Sequence, residues 1–328
     1  MNLLVGSLRK AALGLSEKEK NFSYRRFRGG NPATQARIEQ IIGAFIHGYN
    51  LALQVLDFSQ LTTAIEAGEK ELIGFIYEGA AMGLGILDGL TPWGGHRFHR
   101  YVNGDDAGHT YKGIAGQHRY MAYIGYGLSL ARLKRSVQPA LDKLDPVFCW
   151  LMMDGYGFHQ GLFDFEHYVD QQALPEKFTG YTRRSFDQGL GRSLWFVEGA
   201  DVQRLPRAIA GFVPERRSDL WSGVGLACAY AGGVTAPEVR LLLEFAGEYR
   251  PAFAQGIALA AMTRYEAGNP TAHNELATEV VWGNSVNAVA ERAIAAMEDL
   301  PQTVPSLEHY EITRSRLQAQ FRQEVAIR

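Results

Sequence analysis

The sequence predicts an all-α protein built from helical hairpins, on three observations. Apolar residues fall at helical spacing over most of the chain, as at Ile38, Ile41, Ile42, Phe45 and Tyr49; no alternating period-two run of useful length occurs; and a glycine signature recurs at hairpin intervals. The signature is Gly-x-x-Leu-small-apolar at Gly48, Gly125 and Gly223, each followed about thirty residues on by a polar residue and a glycine: Glu78-Gly79, Asp154-Gly155 and Gln255-Gly256. Two helices and a turn fit that interval. The expectation is three degenerate hairpin copies in one domain over residues 34–328, with residues 1–33 as an N-terminal arm.

The arm carries a charged run from Arg9 to Lys20 and reads as a solvated extension packed by Phe22, Tyr24 and Phe27. Helix begins near Pro32 and ends near Leu53 and Asp57; a second runs over residues 70–87 until Asp88 and Pro92 stop it, because proline removes a donor and disfavours helix before it. Residues 93–109 are rich in glycine and polar side chains and read as a long loop of the kind that forms lids. His96, His99, His109, Asp105 and Asp106 lie in it, yet with no helix to fix their geometry a solvated loop is the better reading than a metal site.

Helix resumes over residues 117–134, and Pro139 and Pro146 mark a turn. Residues 151–167 then combine helical apolar spacing with Gly155, Gly157 and Gly161. Each glycine costs a helix about 1 kcal/mol, so three together point to another backbone or a ligand at close range. Asp154, His159, Asp164 and His167 share this stretch, making it the place to look for chemistry. A second insertion follows to about residue 182 and leads into residues 183–201, where glycine, arginine and aromatics interleave. Further helices are expected over 205–212, 218–230, 237–248, 251–266, 274–298 and 306–325, with Pro206, Pro237 and Pro251 near starts.

A chain of 328 residues can bury a full core, and 33 basic against 35 acidic residues leave a net charge of −2, which supplies no field for nucleic acid. Cys149 and Cys228 sit in apolar surroundings and read as buried thiols of a reducing compartment. The apolar run Leu3 to Val5 is too short for a secretory signal, and no run reaches the roughly 20 residues of a membrane span before Glu78 or Asp154 interrupts it. A cytoplasmic protein is expected. Phosphate-loop, nucleophile-elbow and dinucleotide motifs are absent, and Asp105-Asp106 lacks the further acids of a terpene-cyclase metal motif.

Glu78 and Asp154 lie amid apolar helix residues. A carboxylate buried alone is expensive, so each must find an arginine or carry a proton near neutral pH. A protonated acid facing an apolar cavity suits acid-initiated polyene chemistry; a paired one is an internal tie. Arg183, Arg184 and Arg192, with Gln188 as a neutral donor, suit a substrate carboxylate or phosphate, and equally suit Glu198 or Asp201 inside the fold. Arg192 is expected to reach one of the acids.

The segments Asp154-Gly-Tyr-Gly-Phe-His-Gln-Gly-Leu-Phe163, Phe186-Asp-Gln-Gly-Leu-Gly-Arg-Ser-Leu-Trp-Phe-Val-Glu-Gly-Ala-Asp201 and Gly223-Val-Gly-Leu-Ala-Cys-Ala-Tyr-Ala-Gly-Gly233 resemble a bacterial family of unassigned function that includes the UnbL-type proteins encoded beside iterative enediyne polyketide synthases. The resemblance covers most of the chain and carries no catalytic residue with it. It implies a role in maturing a polyketide-derived polyene. On that expectation the substrate is a long polyene, free or on an acyl carrier, in a cavity lined by Tyr77, Met82, Tyr156, Phe158 and Trp195. Asp154, His159 and Glu78 are the acid/base candidates, Arg183, Arg184, Gln188 and Arg192 the polar contacts, and no cofactor is specified. The alternative is a scaffold that binds the polyene, its carrier or the synthase without turnover.

Overall fold

The computed structural model describes residues 2–91, 95–105, 111–114, 117–145, 147–300 and 306–327, and among them there is no strand. The helices are α1 (Asn2–Leu13), α2 (Pro32–Gln54), α3 (Phe58–Glu66), α4 (Ile73–Leu90), α5 (Arg97–Asn103), α6 (Arg119–Arg132), α7 (Gln138–Leu141), α8 (Cys149–Phe163), α9 (Gly180–Val197), α10 (Arg204–Gly211), α11 (Pro214–Ala231), α12 (Ala236–Phe245), α13 (Arg250–Glu266), α14 (Ala272–Trp282), α15 (Val286–Ala295) and α16 (Ser306–Ile327). The all-α expectation stands.

Local chemistry explains the boundaries. Asn31 caps α2 by accepting from the Thr34 amide, with Pro32 in the first turn, and Asp57 caps α3, a helix the apolar pattern did not reveal. Within the stretch expected to be a loop, the Asp88 carboxylate accepts from the amides of Arg97 and Phe98 and so starts α5. The single helix expected over 274–298 is two: Gly283, at φ 62°, ends α14, and Ser285 caps α15. His109, Asp106 and Trp93 of the first insertion lie outside the described residues.

Seven long helices form a row in which α2, α4, α6, α8, α9, α11 and α13 each pack on the next. What lets them approach is glycine. A Cβ on Gly157 would lie 2.0 Å from the Phe186 carbonyl oxygen, and one on Gly189 would lie 1.8 Å from that of Asp154, so at the α8–α9 crossing each backbone occupies the place of the other's side chain. The same reciprocal contact joins Gly48 with Gly79, Gly127 with Gly155, Gly191 with Gly223 and Gly225 with Gly256. It recurs at five of the six steps of the row, the α4–α6 step having Gly125 on one side only, and so does not single out the two-helix hairpin expected from the sequence.

The row curls until its ends meet. Thr34 Oγ1 donates to the Gly233 carbonyl at 2.9 Å, Arg37 Nε to that of Ala231 at 3.0 Å, and Arg264 Nη1 to that of Glu71 at 2.8 Å. Helix α4, buried from Ile73 to Leu87, has the length and composition of a membrane span, but 78% of its window is covered by neighbours. The first 33 residues also pack: Arg9 Nε reaches the Leu53 carbonyl at 2.7 Å, Asn50 hydrogen-bonds both backbone groups of Leu15, and Phe22 and Phe27 are buried while Tyr24 is exposed. The two insertions are held separately, the first by Asp88 and Arg97 and the second by Arg26 with Glu166 and Arg28 with Asp170.

Candidate functional site

At five of the crossing glycines the preceding residue is polar and buried: Glu78, Asp154, Gln188, Ser222 and Gln255, whereas His47, before Gly48, is exposed. They line up. Gln188 Nε2 donates to Asp154 Oδ2 at 2.8 Å and lies 3.0 Å from the Tyr310 hydroxyl; Ser222 Oγ lies 3.1 Å from Gln188 Oε1 and 3.2 Å from Gln255 Oε1. Helix α16 completes the line with Arg314, whose Nε donates to Gln255 at 3.2 Å and whose Nη2 donates to Asp219 at 2.5 Å. Arg184 closes on the same Asp219 at 3.2 Å and on Glu311 at 2.8 Å.

The other end of the line holds the two acids. Arg192, one turn beyond Gln188 on α9, places Nη1 2.5 Å from Asp154 Oδ1, while its Nη2 stays 3.7 Å from Glu78 Oε1, too far for a hydrogen bond. Asp154 is therefore doubly held. Glu78 is not: Oε1 is buried without a partner, and burial pushes its carboxyl up to about 7, with the Arg192 charge drawing it down and that of Asp154 pushing it up.

Glu78 lines an apolar slot. Its walls are Ile41, Ile42 and Phe45 of α2, Phe75 of α4, Leu128 of α6, Phe158, Leu162 and Phe163 of α8, and Phe196 of α9, with Arg25 from the N-terminal arm. Phe163 is the partly exposed wall residue, with the Arg25 side chain, 8% exposed, packed beside it, so the slot comes nearest the surface there and ends at the acid. About 20 Å³ is free inside, room for about one water. A second apolar cavity, of about 30 Å³, is lined by Leu151, Leu226, Tyr230, Met262 and Tyr310 among others, and shares Tyr120, Phe148 and Met297 with an open recess of about 340 Å³.

The structure thus brings together Glu78, Asp154, Gln188 and Arg192, with Phe158 alongside, the Arg192 guanidinium 4.6 Å from its ring centroid. It does not bring the rest of the expected lining to them. Tyr77 stacks on His118 at 4.2 Å and approaches Glu66, Met82 is core, Tyr156 meets Phe178 and Lys177, and Trp195 donates to the Gly232 carbonyl. Arg184 is spent on Asp219 and Glu311, and Arg183 is half-buried beyond Asp187.

His159 stands behind Phe163, stacked on it at 4.5 Å. Burial pushes it down to about 4, leaving a neutral ring. Since Gln160 Nε2 donates to the Tyr168 hydroxyl, its Oε1 faces His159 Nδ1, 3.0 Å away, which assigns the proton to Nδ1 and a bare lone pair to the unpartnered Nε2. Among the described residues no group of three histidines, cysteines or acids could hold a metal ion.

Sequence reasoning missed Ser222, Arg314, Asp219 and Arg25. The polar residue before a glycine is the signal that finds Ser222, because Ser222-Gly223 repeats what Asp154-Gly155 shows; nothing local marks the others.

No curated protein and no solved structure matches this chain. The family model described as Protein of unknown function (DUF1702) matches residues 4–321. A match over nearly the whole chain means that the crossings and the buried polar line both fall within the family's span, and the chain belongs to the DUF1702 family.

Proposed function

We propose that this chain acts on an unsaturated, apolar chain in the maturation of a polyketide-derived natural product, with Glu78 as the acid, and that it does so in the cytoplasm. The observation that carries the reading is the Glu78 carboxyl, the polar group at the buried end of a slot whose other walls, apart from Arg25 at the mouth, are apolar, with one oxygen lacking a partner. Resemblance of residues 154–163, 186–201 and 223–233 to UnbL-type proteins supports the substrate class.

The chemistry such a group performs is proton exchange at a double bond. The Glu78 O–H gives its proton to one alkene carbon, and the carboxylate left behind is stabilised by the Arg192 charge. Loss of a proton from a neighbouring carbon to that carboxylate restores the acid and leaves the double bond shifted. Atoms and electrons balance with no co-reactant. Asp154 serves as the fixed partner that keeps Arg192 in place, so the acid role lies with Glu78.

The test is made in the organism that encodes the chain: deletion, then complementation with Glu78→Gln, which keeps shape and removes the proton. The expected result is the same accumulated precursor by mass spectrometry in both strains. Full product from Glu78→Gln would sink the acid.

The non-catalytic alternative, a holder of the polyene or its carrier, is favoured by the slot's small free space. It predicts product from Glu78→Gln and loss of product from charge reversal at Arg183. Arg183 is the better probe than Arg184, whose ion pairs hold α9, α11 and α16 together.

A further inference from the structure

The slot's outer end is cationic. Phe163, at the surface, carries the Arg25 guanidinium 4.3 Å from its ring centroid and that of Arg132, from the end of α6, at 5.8 Å. Two guanidiniums on one ring repel each other, and among the described residues the carboxylate that pairs with either is Glu19, which accepts from Arg25 Nη2 at 3.3 Å. Arg132 is exposed and has no hydrogen bond or ion pair among the described residues. His159, neutral behind the ring, adds no negative charge. One positive charge is left over at the mouth of an apolar slot whose inner end is a carboxyl.

We infer that the slot takes a long unsaturated carboxylic acid, its hydrocarbon inside against Phe158, Leu162 and Phe196 and its carboxylate at the mouth on Arg132 and Arg25. The inference rests on the slot being the binding site proposed above and adds the chemical class of the head group. Charge complementarity selects the anion: an arginine fork takes a carboxylate through two parallel N–H donors, and a carboxylate at the surface end keeps its hydration while the tail leaves water. Because the slot at rest holds about one water, entry requires the partly exposed Phe163 and the Arg25 side chain packed beside it to turn outward. The acid then lies with its head at Arg132 and its double bonds toward Glu78.

A conjugated polyenoic acid, whose absorbance reports its surroundings, tests this against its methyl ester on the full chain. Wild type is expected to bind the acid about tenfold more tightly than the ester, the worth of one charge-assisted contact. Arg132→Gln, on the exposed surface, should remove that preference by weakening the acid about tenfold and leaving the ester alone, and Arg132→Glu should reverse it. Leu162→Trp, which fills the slot, should abolish binding of both. Equal binding of acid and ester by wild type, or an Arg132→Gln protein that keeps the preference, overturns the carboxylate and leaves the apolar slot standing. Binding of neither compound removes the slot as the site and this inference with it.

Discussion

Glu78 and Asp219 are buried carboxylates at opposite ends of one polar line, and the fold treats them in opposite ways. Asp219 accepts from Arg184 and Arg314, with both oxygens engaged. Glu78 has a single arginine at 3.7 Å and apolar side chains beyond it. Deep burial of a charge is tolerated when partners repay its lost hydration, and Asp219 meets that condition; Glu78 does not, and burial pushes its carboxyl up to about 7, which favours the protonated form below that pH. The lesson is that a buried acid in an apolar helix has two solutions, and the incompletely paired one marks where structure stops being the whole explanation.

The largest expected effect tests the tied end. Asp219→Ala leaves Arg314 charged and buried with Glu311, at 3.5 Å, as its one remaining carboxylate among the described residues, and should cost about 3–5 kcal/mol in urea unfolding. A loss well under 1 kcal/mol would erase the distinction between the two ends.

Next comes pH. Glu78 moves up from 4.5 to about 7 on folding. Between those values the folded state holds a proton that the unfolded state has lost, so the group's contribution is neutral below pH 4.5, declines as pH rises toward 7, and stays at its full deficit of about 3 kcal/mol above it. Subtracting unfolding curves of Glu78→Gln from those of wild type at pH 5 and pH 8 isolates this term from Asp187, which burial also raises, to about 6. A difference that does not change with pH means that Glu78 is paired after all.

Gly189→Ala probes the middle of the line, where a Cβ would meet the Asp154 carbonyl. The expected loss is about 1–3 kcal/mol, read as a lower midpoint of thermal unfolding. An unchanged midpoint would mean the crossing gives way. The smallest effect is Glu78→Gln itself at pH 5, where the wild-type group is already neutral: about 1 kcal/mol or less.

Much of the fold was legible because helical periodicity and proline stops are local signals. Helix α3 escaped, having only Phe58, Leu61 and Ile65 to show over nine residues, and the α14–α15 break escaped because apolar spacing continues from Val281 through Val286 and Val289 across Gly283. The acids were legible as a problem, since a carboxyl amid Phe75, Ile76 and Ala80, or Met152 and Met153, must be solved somehow. Which solution each adopts was not, because it depends on Arg192 reaching back to two different helices. The slot was hidden for the same reason, with walls from five helices and Arg25 from a segment that read as solvated.

The glycine crossings have a mechanical consequence. Where backbone rests on backbone there is no rotamer to change, so neighbouring helices can neither slide nor part by repacking, and the row behaves as a stiff hull. Whatever volume an occupant needs must then come from the port, at Arg25, Phe163 and Arg132. Differences in guest size between relatives should accordingly be written in those few rim side chains, with the frame of glycines left untouched.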